Sequence, residues 1–226
     1  GGPLPSLRHK EGAPIMSYVL AFSSTPIKGG TIEKGLRMVL DAAGAERNEL
    51  VRLAAKDVRV CLACKKCAHT NRCVIKDDVN PLLDKIEEAD AFVMSGYPSF
   101  GSLNALMKVF IERNWPLRHN HILTRGKTGA AVVAGSAGLD DLDLFFRHYY
   151  EGYLGMGFKG TLKLRGNVPC MTCGYGEDCE GSGFLREYGP GAKVTPDKFY
   201  DPDNDPDAKG RARALGEAVA RSLSAS

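Results

Sequence analysis

Four of the seven cysteines in this 226-residue chain fall within one short stretch, Cys61, Cys64, Cys67 and Cys73, at CX2CX2CX5C spacing. Thiols this close need a shared partner. A disulfide framework fits poorly, because two-residue gaps seldom give the separation and torsion a disulfide requires, and the rest of the chain does not read as secreted. Thiolate is the ligand that iron-sulfur clusters and structural zinc both favour. Structural zinc usually takes its ligands as two separated CX2C pairs, whereas clusters are commonly held by closely spaced single cysteines. The spacing therefore favours an iron-sulfur centre, with zinc as the alternative. His69 lies inside this loop and is expected to be solvated, because four thiols already complete a ligand set.

A second group, Cys170, Cys173 and Cys179, repeats the CX2CX5C part of the spacing, with Asn167 where a fourth thiol would stand. Three ligands are an incomplete set. The expectation is a cysteine-rich loop without metal, against a second metal site completed by a non-cysteine ligand. His119, His121 and His148 have no carboxylate or cysteine at motif spacing. No Gly-x-Ser-x-Gly, HExxH or paired-carboxylate pattern appears, so hydrolysis is unsupported and no catalytic side chain is assigned.

The elements that must position these groups alternate between strand and helix. Residues 17–22 form a short apolar run expected to be a buried strand, followed by the polar loop 23–31. A helix then begins, with Ile32, Leu36, Val39, Leu40 and Ala43 at helical spacing and Gly44 where a left-handed cap would stop it. A strand, a hydroxyl- and glycine-bearing loop and a helix N-terminus form a cradle for an anionic phosphate. The loop is neither GxGxxG nor GxxxxGK[ST], which argues against a Rossmann dinucleotide site and a P-loop.

A second strand is predicted over 49–53, with the cysteine loop leaving it. A helix over 78–89 follows, with Asn80 as its cap and Pro81 in its first position. A third strand over 91–94 runs into the loop 95–102 and a helix over 104–114. A fourth strand over 129–134 ends in Gly135-Ser136-Ala137-Gly138, whose small side chains allow close approach to the backbone. A helix over 139–154, a fifth strand near 161–169 and an irregular Pro-, Gly- and Asp-rich tail over 187–210 complete the prediction. The Asp201–Asp207 run does not match a calcium loop, because Pro206 and Ala212 occupy the positions that need Gly and Glu. Asp205 and Pro206 instead start a last helix with Ala212, Leu215 and Val219 on its packed face. This order predicts one doubly wound parallel sheet.

Composition sets outer limits. With 43% hydrophobic and 25% charged residues the chain has the balance of an ordinary globular protein. A net charge of +3 with scattered Lys and Arg gives no stripe for nucleic acid. No apolar run approaches a membrane span, and the first 14 residues lack the apolar segment of a secretory signal. Those residues read as a flexible arm, and a reducing cytoplasm suits the free thiols.

Three segments together resemble the iron-sulfur flavoprotein branch of the NAD(P)H-dependent FMN reductase superfamily, over most of residues 17–170. They are the loop 23–31, the step from Cys73 to Asp78, and Phe100-Gly101 with the helix Ala105 to Arg113. The resemblance implies a flavodoxin-like sheet of five strands in order 2-1-3-4-5, with helices on both faces and the cysteine loop after strand two. It implies a domain over 15–186, followed by an irregular tail and C-terminal helix over 187–226. It implies that Ser23, Ser24, Lys28, Gly30 and Thr31 hold the FMN phosphate. Tyr97, Pro98, Ser99, Phe100, Gly101 and Ser102 would flank the isoalloxazine on one side, and Gly135, Ser136, Ala137 and Gly138 on the other.

The loop departs from the family pattern at Pro26, Ile27 and Gly30, which leaves Lys28 as its cation. The displaced proline and Ser99 leave open which ring packs on the flavin. The family pattern does not explain the second cysteine group, which, if it is more than a metal-free loop, would line the far rim of the flavin pocket or complete a second metal site with a non-cysteine ligand. The resulting expectation is an electron-transfer oxidoreductase with FMN and a [4Fe-4S] cluster on Cys61, Cys64, Cys67 and Cys73. Its donor would be a ferredoxin-type protein or NAD(P)H, its acceptor a small molecule, and its assembly a homodimer or homotetramer. The alternatives are an NAD(P)H-dependent FMN or quinone reductase whose cysteine loop binds zinc or nothing, and a zinc-stapled binding module without flavin.

Overall fold

The computed structural model describes residues 17–223, so the predicted N-terminal arm lies outside the described residues. In chain order the elements are β1 (Tyr18–Ser23), α1 (Thr31–Ala43), β2 (Arg47–Arg52), α2 (Cys67–Thr70), α3 (Val79–Glu88) and β3 (Ala91–Gly96). A small hairpin of β4 (Pro98–Ser99) and β5 (Ser102–Leu103) comes next, then α4 (Ala105–Glu112), β6 (Thr128–Gly135), α5 (Leu139–Arg147), β7 (Gly157–Arg165), α6 (Gly183–Tyr188) and α7 (Pro206–Leu223).

Five strands pair in the order β2-β1-β3-β6-β7, all parallel. This is the predicted 2-1-3-4-5 sheet, with the cysteine loop following its second strand. The order reverses between β1 and β3, and at such a switch point the loops at the carboxyl ends diverge and open a crevice.

Every residue of β1 and β3 is buried, as expected of strands covered on both faces. The period of two sorts their side chains. Val19, Ala21, Val93, Ala130 and Val132 pack with α1 and α7, while Leu20, Phe22, Phe92, Met94 and Val133 pack on the opposite face with residues of α3, α4 and α5. The helix α7 crosses α1 so closely that a Cβ at Gly216 would stand 2.5 Å from Ala42 Cβ and 2.6 Å from the Val39 carbonyl oxygen.

Four expectations need correction. The helix α3 begins at Val79, so Asn80 lies inside its first turn rather than capping it, and Asp77 accepts the Val79 N–H at 3.1 Å. Pro81 is still within that first turn, where no intrahelical donor is lost. The helix predicted over 139–154 is α-helical only to Arg147, and His148–Tyr153 continues as a π-helix. Tyr149 and Tyr150 are both buried there. The Tyr150 hydroxyl accepts the Met94 N–H at 3.1 Å and the Tyr149 hydroxyl accepts from Asn114 Nδ2 at 2.7 Å, so this wider turn serves two adjacent buried rings.

The fifth strand comes four residues earlier than predicted, because Pro169 opens a 3-10 turn instead of ending a strand. The tail is more ordered than its composition suggests. Short turns at Pro196–Lys198 and Pro202–Asn204 lead into α7. Lys34 pairs with Asp201 at 2.6 Å and Asp203 at 2.7 Å, and the Asn167 side chain bonds both ways with the Tyr200 backbone. Asp205 accepts the N–H groups of Asp207 and Ala208 at the start of α7, as its position predicts. Among the described residues no helix is long and apolar enough to cross a membrane.

Candidate functional site

The crevice at the carboxyl end of β1 is built from the loop into α1. The Ser23 and Ser24 side chains point into the protein. Ser23 Oγ donates to Glu33 at 3.3 Å, while the Ser24 hydroxyl lies 3.1 Å from the Ser95 carbonyl oxygen and 3.2 Å from Asn104 Oδ1. Both residues therefore shape the loop from beneath. Lys28 is exposed, Gly30 and Thr31 are half-buried, and α1 starts without a side-chain cap. The α1 N-terminus, with Lys28 near it, is thus the part of the loop that is open to solvent.

Glu33 is fully buried under this loop, where it accepts the Gly29 N–H at 2.8 Å and Arg52 Nε at 2.5 Å. Burial by itself would raise its carboxyl, but the Gly29 N–H and the Arg52 guanidinium outweigh burial and hold it below the usual carboxylate range. Glu33 acts as an internal strut for the loop, and its first-turn position on α1 was the signal that could have found it.

The loop after β3 folds into the β4–β5 hairpin. Phe100 (φ 49°) and Gly101 (φ 74°) form its two-residue tip, both in the left-handed conformation of a type I′ turn. Phe100 is fully exposed, whereas Tyr97, Pro98 and Ser99 are half-buried and Ser102 is exposed. Gly135 and the exposed Ser136, Ala137 and Gly138 lie against this hairpin, and a Cβ at Gly135 would stand 2.8 Å from Pro98 Cδ. The structure thus brings the two predicted loops side by side through Pro98.

Asn104, which carried no assignment in the sequence, joins the first two loops. It is buried at the start of α4, where its Oδ1 lies near the Ser24 hydroxyl and accepts the Tyr97 N–H at 3.3 Å.

At the other end of α4 lies the cysteine loop. Cys61, Cys64, Cys67 and Cys73 line one pocket of about 220 Å³, together with Val74, Ile75, Arg113, Trp115 and His119. Burial pushes the Cys67 thiol up, and the neighbouring Cys73, Cys61 and Cys64 push it further. Ala63, Lys65 and Asn71 adopt left-handed φ angles that curl the loop, and Asn71 Nδ2 ties it to the carbonyl oxygens of Pro116 and His119. Asn80 clamps Cys73, accepting its N–H at 3.1 Å and donating to its carbonyl at 2.8 Å. His69 is exposed. Four thiols around one small pocket, with a buried guanidinium 3.3 Å from the Cys73 sulfur, are a donor set that suits a cluster or a thiolate-bound metal. Even so, among the described residues no three of these donors stand within reach of a single ion.

The second cysteine group is arranged differently. Cys170 lines a cavity of about 790 Å³ together with Gly135, Ser136, Arg165, Arg186 and Glu187, which places it on the rim of the predicted flavin loop. Its thiol is lowered by the Phe184 N–H against the opposing effect of burial, with the Gly183 N–H adding to the lowering. Cys173 and Cys179 are exposed and are not among the residues lining that cavity.

The profile of the NADPH-dependent FMN reductase family matches residues 17–163. An iron-sulfur flavoprotein of Methanocaldococcus jannaschii is 33% identical over 121 residues, covering 53% of this chain and 62% of that protein. An iron-sulfur flavoprotein of Methanosarcina thermophila is 27% identical over 121 residues, covering 53% of this chain and 63% of its own length. The chain therefore spans less than two thirds of these relatives. Among solved structures, the apo NADH:FMN oxidoreductase EmoB superposes with a TM-score of 0.57 at 13% identity, covering 93% of this chain and 91% of that one. An archaeal flavodoxin gives a TM-score of 0.51 at 12% identity, with 92% and 99% coverage, and at such identities the likeness concerns the fold. With its switch-point loops, its parallel sheet and a profile match over most of its length, the chain belongs to the NADPH-dependent FMN reductase family.

Proposed function

We propose that this protein is an electron-transfer flavoprotein that holds FMN at the carboxyl ends of β1 and β3 and a [4Fe-4S] cluster on Cys61, Cys64, Cys67 and Cys73. The observation that carries this reading is the convergence of four thiols on one pocket at the far end of the helix whose start joins the flavin loops. From Asn104 to Arg113, α4 spans about 14 Å at 1.5 Å per residue. The names of the curated relatives support the same pair of cofactors. When bound, FMN exchanges electrons in pairs and the cluster singly, which suits a carrier between unlike partners.

In this reading the residues divide the work. Lys28, Gly30 and Thr31 with the start of α1 hold the phosphate, while Glu33, Ser23, Ser24 and Asn104 fix the loop geometry. The 97–102 and 135–138 loops hold the ring system, and Cys170 marks the rim on the acceptor side. A ferredoxin-type protein or reduced nicotinamide donates, and a small molecule accepts. The protein works in a reducing cytoplasm, as a homodimer or homotetramer.

The second reading is an NAD(P)H-dependent FMN or quinone reductase with zinc or nothing in the cysteine loop. Among the described residues no three donors stand within reach of one ion, which weighs against its zinc form but not against a cluster, whose thiolates each bind a different iron.

One sample separates them. Anaerobically purified protein is assayed for iron, acid-labile sulfide, zinc and extractable FMN, alongside its ultraviolet-visible spectrum. About four irons per chain with flavin bands supports the carrier, and Cys67→Ser then loses the iron but keeps the flavin. Flavin without iron or sulfide sinks the carrier in favour of the reductase.

A further inference from the structure

We propose that Arg113 is a positioning residue that sets the reduction potential of the centre through Cys73, with Asp77 as its counterweight. This inference rests on the cluster reading above. Arg113 is the largest fully buried side chain among the described residues, at 1% exposure, and the Asp77 side chain facing it is completely buried. Neither residue was assigned a role from sequence.

The guanidinium is held in a fixed orientation. It grips Asp77 with both terminal nitrogens, at 2.5 and 3.0 Å, and Nη1 donates again to the Arg59 carbonyl at 2.7 Å. Nη2 donates to Cys73 Sγ at 3.3 Å, and Nε has no partner. Asn80 fixes the Cys73 backbone from both sides, so this sulfur is presented to the guanidinium rather than brushing past it. A buried ion pair that served packing alone would need no third contact on a thiol, and hydrophobic residues of similar volume usually do that work as well.

The arrangement has a direction. Arg113 lies between a carboxylate and a sulfur, so the near charge at Cys73 is positive and the negative one is farther away. Reduction adds negative charge to a thiolate-ligated cluster, and a hydrogen-bond donor and cation beside one sulfur favour the more negative state. Removing the cation lowers the potential. Removing the carboxylate leaves the cation uncompensated and raises it. The buried Pro116 lines the same pocket, and the guanidinium itself is 1% exposed, which weakens screening of the effect on this side of the loop.

The test is a potentiometric titration of the cluster, followed by electron paramagnetic resonance, on wild-type protein, Arg113→Gln, Arg113→Lys and Asp77→Asn, each with its iron and sulfide counted. The expected result is a shift to lower potential in Arg113→Gln, a shift to higher potential in Asp77→Asn, and a position between wild type and Gln for Arg113→Lys. Should Arg113→Gln fail to fold, the Lys and Asp77→Asn proteins still show displacements of opposite sign. Unmoved potentials in iron-replete variants, or shifts of the same sign, overturn the tuning role while leaving the cluster reading intact. A wild-type protein with flavin but no iron or sulfide overturns both.

Discussion

Replacing Asn104 with alanine tests whether one buried amide holds the flavin-facing loops together. The side chain is 1% exposed and its Oδ1 takes the Tyr97 N–H at 3.3 Å, while the Ser24 hydroxyl stands at 3.2 Å. After truncation the Ser24 hydroxyl keeps the Ser95 carbonyl at 3.1 Å, so its loss is small. The amide of Tyr97 has no such second partner. Leaving a buried donor unpaired costs about 1–3 kcal/mol, the half-buried Tyr97 N–H falls at the low end of that range, and the weakened Ser24 contact and the vacated amide volume bring the sum to about 2–3 kcal/mol. That is a shift of about 30- to 150-fold in the unfolding equilibrium, read as a lower urea midpoint at unchanged slope.

Function moves with it. Once the two loops are uncoupled, FMN must order them on binding, and fixing a single backbone residue costs about 1–2 kcal/mol, so FMN affinity falls about tenfold or more. Fluorescence titration of apoprotein with FMN measures this. A stability loss below about 1 kcal/mol, or full stability loss with unchanged FMN affinity, refutes the role of Asn104 as the tie between the loops.

Two further outcomes follow from the same loops. Because the Glu33 carboxyl is held below its unfolded value, its contribution is complete above the ordinary carboxylate range of about 4 and disappears as pH falls through the folded value. The stability gap between wild type and Glu33→Gln should therefore be widest near neutrality and close as pH drops below about 4 in urea melts, whereas a gap independent of pH contradicts the assignment. Phe100 carries a left-handed φ of 49° with its ring wholly exposed, a backbone cost of about 1–2 kcal/mol that glycine avoids. Phe100→Gly should raise the melting temperature of the apoprotein yet weaken FMN binding, and unchanged binding would show that this ring does not touch the flavin.

Much of the architecture was legible in the residues because it rests on local rules. Burial on both faces made the strands continuous apolar runs such as Val19 to Phe22, and Gly44 marked the end of α1 through its left-handed cap. Asp205 marked the start of α7 in the same local way. The alternation of these elements, with one handedness of crossover available, pointed to one doubly wound parallel sheet, and the resemblance to the family implied its 2-1-3-4-5 order. Cysteine spacing identified the thiol loop for the same reason, since chain proximity alone keeps those four residues on one loop lining one pocket.

What the chain alone could not decide were partnerships between residues distant in sequence. Glu33 and Arg52, Ser24 and Asn104, and Asp77 and Arg113 are separated by 19, 80 and 36 positions. Nothing periodic connects them, and an Asn before a helix or an Arg at its end looks the same whether solvated or buried. The shift from α- to π-helix at His148 likewise answers to Met94 and Asn114, which lie on other elements. Local free energies are written along the sequence, whereas the pairing of buried polar groups depends on which surfaces the completed sheet brings within 3 Å. Only the tertiary structure could place Arg113 against Cys73, because only there does desolvation make that contact matter.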